Sequence, residues 1–324
     1  MWRLSLCAGA IIGLGVLGYL MFFQNAFFAA KKDEVRWDSQ RAKKYLDAIC
    51  KIGKRVSGTK GMEQQQKLLA DHFRKFGAQV SLQSFDIAHP LTGQPVRLAN
   101  LIVTWDPDAK ERILIGCHYD TRPFPDRDPR NPRGLFLGAN DGASGVALLM
   151  EMAHHMKKSK RKYGVDFVFF DAEELIFADP SQLGRGKDDI SNYFIGSKYF
   201  AKQYRDHPPK HRYLCGAIVD MVGDRNLNLY LEKNSLRYAP DVTKRIWKTA
   251  SSLRIREFVY REKHDVNDDH MPLNTIAKIP TCDIIDFDYP YWHTTGDTPA
   301  KCSGRSLVKV GRVLMKWLED PLGN

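Results

Sequence analysis

The chain has 324 residues, a formal net charge of +11 and 43% hydrophobic residues, long for one domain but within the reach of a single α/β domain. No internal repeat or low-complexity linker interrupts it, which excludes repeat arrays and collagen-like or linker-dominated chains. The basic excess does not read as a nucleic-acid surface, because it is dispersed along amphipathic stretches, such as the Lys/Arg-rich run 157–162, without interleaved stacking aromatics; a run like that is a solvated helix end or a contact to anionic lipid.

The first element is apolar. From Leu4 to Phe23 there is no charge, and about 20 apolar residues suffice to span a bilayer as a helix. Residues 1–30 therefore read as a membrane anchor or signal segment and residues 31–324 as the domain it carries. A cleaved signal peptide has a shorter apolar core, and Phe28-Ala29-Ala30 matches a small-x-small cleavage site poorly, so a retained signal-anchor is the expectation. Lys31, Lys32, Arg36, Arg41, Lys43 and Lys44 follow the span while only Arg3 precedes it, and the positive-inside tendency taken alone would place the domain behind it in the cytoplasm. A span at the extreme N-terminus more often exports the chain behind it. The expected placement is a membrane-anchored, exported domain, or a secreted or periplasmic one if the segment is removed.

Apolar spacing predicts helices over 39–52 and 60–76, then strands over 79–85, 99–105 and a run ending at His118. Helices over 143–156, 197–204, 240–253 and 306–318 alternate with strand runs 166–170, 217–219 and 281–287. That alternation predicts one α/β domain with a largely parallel central sheet. Two segments stand outside it, the Pro-rich 121–137 and the stretch 175–192. Each directly follows a strand run that carries polar residues, so both are expected to rim a pocket. The six cysteines, Cys7, Cys50, Cys117, Cys215, Cys282 and Cys302, show no CxxC spacing and are expected to be unpaired small hydrophobes.

Five chemistry-bearing residues sit where an apolar run ends or a helix begins: His118, Asp141, Glu174, Asp220 and His293. In open α/β sheets, ligands collect beyond the carboxyl ends of the strands, so these runs aim at one place. Asp141 lies in Gly138-Ala139-Asn140-Asp141-Gly142, where small residues allow close backbone approach. Each signal alone is bland: His118-Tyr119-Asp120 is a common triplet, Glu173-Glu174 reads as a solvated turn, and Asp268-Asp269-His270 as a helix start. Together they form a borderline-hard set suited to zinc, with three ligands plus an open position for one ion or five residues bridging two. One glutamate of the pair can bind metal while its neighbour moves protons.

These residues sit in Arg55-Val56-Ser57-Gly58-Thr59, CHYDTRP from Cys117, GANDGASG from Gly138, FFDAEE from Phe169, IVDMVGD from Ile218, DDHMPL from Asp268 and YWHTTGDT from Tyr291. The set resembles the zinc-dependent aminopeptidase superfamily over roughly residues 36–320, and within it the glutaminyl-peptide cyclotransferases of bacterial type. The resemblance implies a twisted, mixed, largely parallel central sheet flanked by helices on both faces, with Asp141, Glu174 and His293 holding the catalytic zinc and Glu173 as the general acid and base. It implies that His118 and Asp220 either bind a second zinc, as in the two-metal aminopeptidases, or persist without one, Asp220 then joining Asp268 in a catalytic hydrogen-bond network. Asp120 would orient His118.

Asp268 and Trp292 carry the choice of cyclase over aminopeptidase, because the peptidases usually have a small hydroxyl residue and a Tyr or Phe there. Trp292 and Phe177 are the expected walls of the substrate pocket, although Phe177 is an inexact match for the aromatic expected after the glutamate pair. Val146 stands where animal cyclases carry the cysteine that pairs with the counterpart of Cys117. The implied reaction is zinc-dependent conversion of an N-terminal glutamine of a peptide or protein to pyroglutamate, with release of ammonia. The alternative is a two-zinc aminopeptidase. A non-catalytic binding domain on the same fold would be expected to have lost ligands, and none is missing from this chain.

Overall fold

Residues 36–90, 92–175 and 193–323 are described by the computed structural model of the protein. The apolar segment 4–30 and Phe177 lie outside them. Among the described residues no helix is long and apolar enough to cross a membrane.

Helix α1 (Ser39–Lys51) starts at Asp38, whose carboxylate accepts from the Gln40 and Arg41 amides at 2.8 and 3.1 Å, supplying partners that the first turn lacks. It buries Ala42, Leu46, Ile49 and Cys50, a stripe at helical spacing. Helix α2 (Lys60–Lys75) buries Met62, Leu69 and Phe73, and the Phe73 ring meets Phe167 and Phe169 at 6.0 and 5.5 Å. Between them in space lies α3 (Ala143–Met156), buried everywhere except at His154 and His155. Such a helix is built for the interior, and α1, α2 and the C-terminal α8 (Gly304–Trp317) pack around it.

The central sheet has six strands: β1 (Gln79–Ala88), β2 (Pro95–Trp105), β3 (Glu111–His118), β4 (Gly164–Phe170), β5 (Arg212–Asp220) and β8 (Thr281–Ile285), in the order β1-β2-β4-β3-β5-β8. β4, β3, β5 and β8 run parallel, whereas β1 and β2 form an antiparallel hairpin whose second strand pairs antiparallel with β4. The parallel core reads as continuous apolar runs because helices cover both faces. α3 covers one face. On the other, Phe200 of α4 (Ile195–Asp206) and Leu273 of α7 (His270–Thr275) join Leu114, Val168, Phe170 and Ile218 in one apolar cluster. From Asp38 on, the chain forms one compact unit. All five described cysteines are free and buried.

Four short elements carried no periodic signal: β6 (Leu229–Leu231) and β7 (Phe258–Glu262), paired as a separate two-stranded sheet, and helices α5 (Lys233–Tyr238) and α7. At three to six residues they are shorter than the windows over which periodicity is read. α6 (Pro240–Ser252) lies where its spacing predicts, opened by Pro240 in its first turn.

Asp166, within an apparently apolar run, is half of a buried ion pair. Arg112 Nε and Nη2 reach its two carboxylate oxygens at 2.8 Å each, and Tyr213 donates to it at 2.6 Å. Arg112 also donates to the Trp105 and Val165 carbonyls. Asp166→Ala would leave a guanidinium buried without its counter-charge, so unfolding in urea is expected to show a loss of about 3 kcal/mol or more. A loss under about 1 kcal/mol would mean that the carbonyls alone satisfy Arg112.

Candidate active site

The ends of the parallel strands fix where the chemistry collects. His118 is the last residue of β3 and Asp220 the last of β5; Glu173 and Glu174 follow β4 by three and four residues, and His293 follows β8 by eight. Left-handed backbone at Ala172, Met221 and His293, with φ of 55°, 48° and 55°, turns the chain sharply at three of these strand ends. Non-glycine residues hold that conformation at a cost of about 1–3 kcal/mol, and surrounding contacts must impose it.

Those contacts are visible. Asp120 accepts from the Glu173 and Glu174 amides at 3.2 and 3.0 Å, anchoring the glutamate pair from the next strand, while its Oδ1 lies 3.6 Å from His118 Nδ1. Asp297 accepts from the Asn140 and Asp141 amides at 2.8 and 3.1 Å and so clamps the turn that carries Asp141. The buried Arg55 guanidinium donates to the Leu137 and Gly138 carbonyls at 2.8 and 3.0 Å, which explains why Arg55 heads its motif. Gly142 has φ 89°, and a Cβ there would lie 2.7 Å from the Asp120 carbonyl and 3.1 Å from the His118 ring. The small residue makes room for the His118 ring.

Around a cleft of about 490 Å³, lined among others by Asp141, Glu173, Glu174, Asp220, Asp268, Trp292 and His293, the ligand atoms fall into overlapping triads. Asp141, Glu174 and His293 offer atoms all within 4.8 Å of one another, and so do His118, Asp141 and Asp220. In the first, His293 Nε2 lies 3.0 Å from Glu174 Oε1 and 3.5 Å from Asp141 Oδ2. Asp141 Oδ2 is buried with no hydrogen-bond partner, a costly state that a cation would relieve. One imidazole and two carboxylates suit zinc. In the second triad, His118 Nε2 lies 3.2 Å from both Asp141 Oδ1 and Asp220 Oδ1, so those oxygens already face a nitrogen.

Three positions escaped the sequence reading. Arg122 donates from Nη1 to Glu174 Oε1 at 2.8 Å and from its backbone amide to Oε2 at 3.1 Å. Asp126 takes the Arg122 Nε at 3.0 Å and stands 3.2 Å from His293 Nδ1, the place of a group that orients a ligand imidazole. Asp297 is the third. Arg122 lies inside CHYDTRP and Asp297 inside YWHTTGDT, so both were visible but unassigned; Asp126 had only its place in the Pro-rich loop, which does form part of the cleft's rim.

The two glutamates are driven apart in acidity. Burial opposes ionisation of Glu174, yet Arg122 and His293 hold its carboxyl well below the ordinary range. Burial pushes Glu173 well above it, His118 offsets this only in part, and the charges of Glu174 and Asp268 add to it. Asp268 is pushed up to about 6 by burial and then by the charge of Asp220. Neighbouring carboxyls with separated acidities can divide anionic and proton-carrying roles between them. Behind the cleft, fully buried His270 stands 3.5 Å from Glu232 Oε2 and 3.8 Å from Asp283 Oδ2, next to Asp268.

Residues 100–318 match the model of peptidase family M28. The chain belongs to that family. Among solved structures, this M28 protein is similar to the glutaminyl cyclase of Fimbriiglobus ruber, with 40% identity and a TM-score of 0.82 over 89% of this chain and 96% of that one. It is also similar to a leucine aminopeptidase precursor from Bacteroides thetaiotaomicron, at 31% identity and a TM-score of 0.81 over 88% and 98%. The glutaminyl-peptide cyclotransferase-like protein of Bos taurus is 26% identical over 294 residues, 83% of this chain and 72% of that relative.

Proposed function

We propose that the chain converts N-terminal glutamine of peptides and proteins to pyroglutamate with release of ammonia. The observation that carries this reading is the acidic Asp268 in the cleft beside Asp220 and Glu173, where their charges act on one another. The similarity to glutaminyl cyclases supports it.

Cyclisation requires the α-amine to attack the γ-carbonyl carbon of its own residue. The nucleophile is tethered to its target, so no activated water is needed. Asp141, Glu174 and His293 would hold one zinc, which supplies Lewis acidity toward the γ-carbonyl oxygen. Glu173 takes the proton from the attacking amine and returns it to the departing nitrogen, a task that suits a carboxyl whose burial raises its affinity for a proton. Asp220 and Asp268 steady the leaving amide nitrogen, and two close carboxyls sharing a proton can both accept and donate. Trp292 walls the pocket, its ring 4.1 Å from that of His293. Residues 1–30 are proposed as the anchor or signal segment and residues 31–324 as the catalytic domain, placed outside the cytoplasm.

A two-zinc aminopeptidase is the second reading, favoured by the complete His118, Asp141 and Asp220 triad and by the similarity to the aminopeptidase precursor. Incubation with Gln-Ala and Leu-Ala separates the two. Ammonia from the first and no leucine from the second is the expected result; free leucine without ammonia would reverse the choice.

A further inference from the structure

The walls of the cleft are acidic, and its other arginine, Arg122, is consumed by Glu174 and Asp126. Arg127 differs. It lines the mouth, it is exposed, and no carboxylate among the described residues pairs with it. Its backbone amide donates to the His293 carbonyl at 3.1 Å, and its guanidinium carbon lies 3.8 Å from the centre of the Trp292 ring. A guanidinium stacked on an aromatic face keeps its N–H edge free, and that edge is the part that grips a carboxylate with two parallel hydrogen bonds.

We propose that Arg127 forms a subsite for a carboxylate carried by the residue after the N-terminal glutamine, an inference that rests on the cyclase reading. By way of Trp292, the guanidinium is no more than about 8 Å from the His293 imidazole, a reach of two extended residues at ~3.5 Å each. The acidic interior suits the free α-amine of glutamine, and the cationic mouth suits an acidic neighbour. Asp265 is one of the opposing charges on the lining, and one of its oxygens already accepts from Asn234 at 2.8 Å. The carboxylate has two sources, the side chain of a following Glu or Asp, or the C-terminus of a Gln-X dipeptide.

The test is kcat/KM for ammonia release from Gln-Glu-Ala-amide, Gln-Gln-Ala-amide and Gln-Lys-Ala-amide, and from Gln-Ala as free acid and as amide, with the full chain, Arg127→Ala and Arg127→Glu. The acidic-to-neutral ratio is read within each protein, so a change in folded fraction cancels. A ratio of roughly three to ten is expected for the full chain, falling toward one in R127A, tilting toward lysine in R127E, and shrinking in high salt. Sensitivity confined to the Gln-Ala acid and amide pair would support the subsite with the C-terminus as its ligand. Ratios that are the same in all three proteins would overturn the subsite and leave the cyclase reading standing. No ammonia from any peptide would overturn the cyclase reading, and the subsite with it.

Discussion

Glu173→Gln is expected to lower kcat for a Gln-initiated peptide by about 10²–10⁴-fold, the usual contribution of a positioned general acid and base, with KM changed much less. The amide is nearly isosteric but neither takes up nor gives up a proton near neutral pH. Glu173 is only partly buried, and its backbone amide on Asp120 is untouched by the substitution, so fold and metal content should persist. Glu173→Asp withdraws the carboxyl by one methylene and should keep part of the rate. Near-normal turnover in E173Q would transfer the proton work to Asp220 and Asp268 and remove Glu173 from the role of general acid and base.

Zinc content provides the second large effect. Asp141→Ala removes the one residue common to both triads and should abolish tight zinc binding, and ammonia release with it. Asp220→Ala should leave about one zinc per chain, because Asp141 Oδ2, Glu174 and His293 remain. Binding to the folded state alone stabilises by about 4 kcal/mol at a thousandfold excess over Kd, on the order of 10 °C at 2–4 °C per kcal/mol. The melting temperature should rise with zinc in the wild type and in D220A, and stay flat in D141A. Two tightly held ions in the wild type falling to one in D220A would favour the aminopeptidase reading.

Much of the site is legible in the sequence because a buried strand run aims the polar residues at its carboxyl end. The apolar stretches before His118, before the glutamate pair and before Asp220 mark buried parallel strands, and a parallel sheet brings its carboxyl ends to one edge. The Asp268-Asp269-His270 cluster shows the limit. It does start a helix, since α7 opens at His270. That His270 lies buried between Glu232 and Asp283 has no local sign, because Glu232 is 38 positions away along the chain.

The amino-acid sequence by itself determined the α/β class, the parallel core, the unpaired state expected of the cysteines, and a set of five candidate ligands with Glu173 beside them. These follow from local periodicity and from residue chemistry at strand ends. Only the tertiary structure decided which oxygen of Asp141 faces which triad, that Arg122 and His293 keep Glu174 ionised while burial keeps Glu173 protonated more readily, and that Asp126 and Asp297 hold His293 and Asp141 in place. Those properties depend on distances of about 3 Å between groups as far apart in sequence as Asp126 and His293, and acidity in a buried site is set by such neighbours rather than by the residue type.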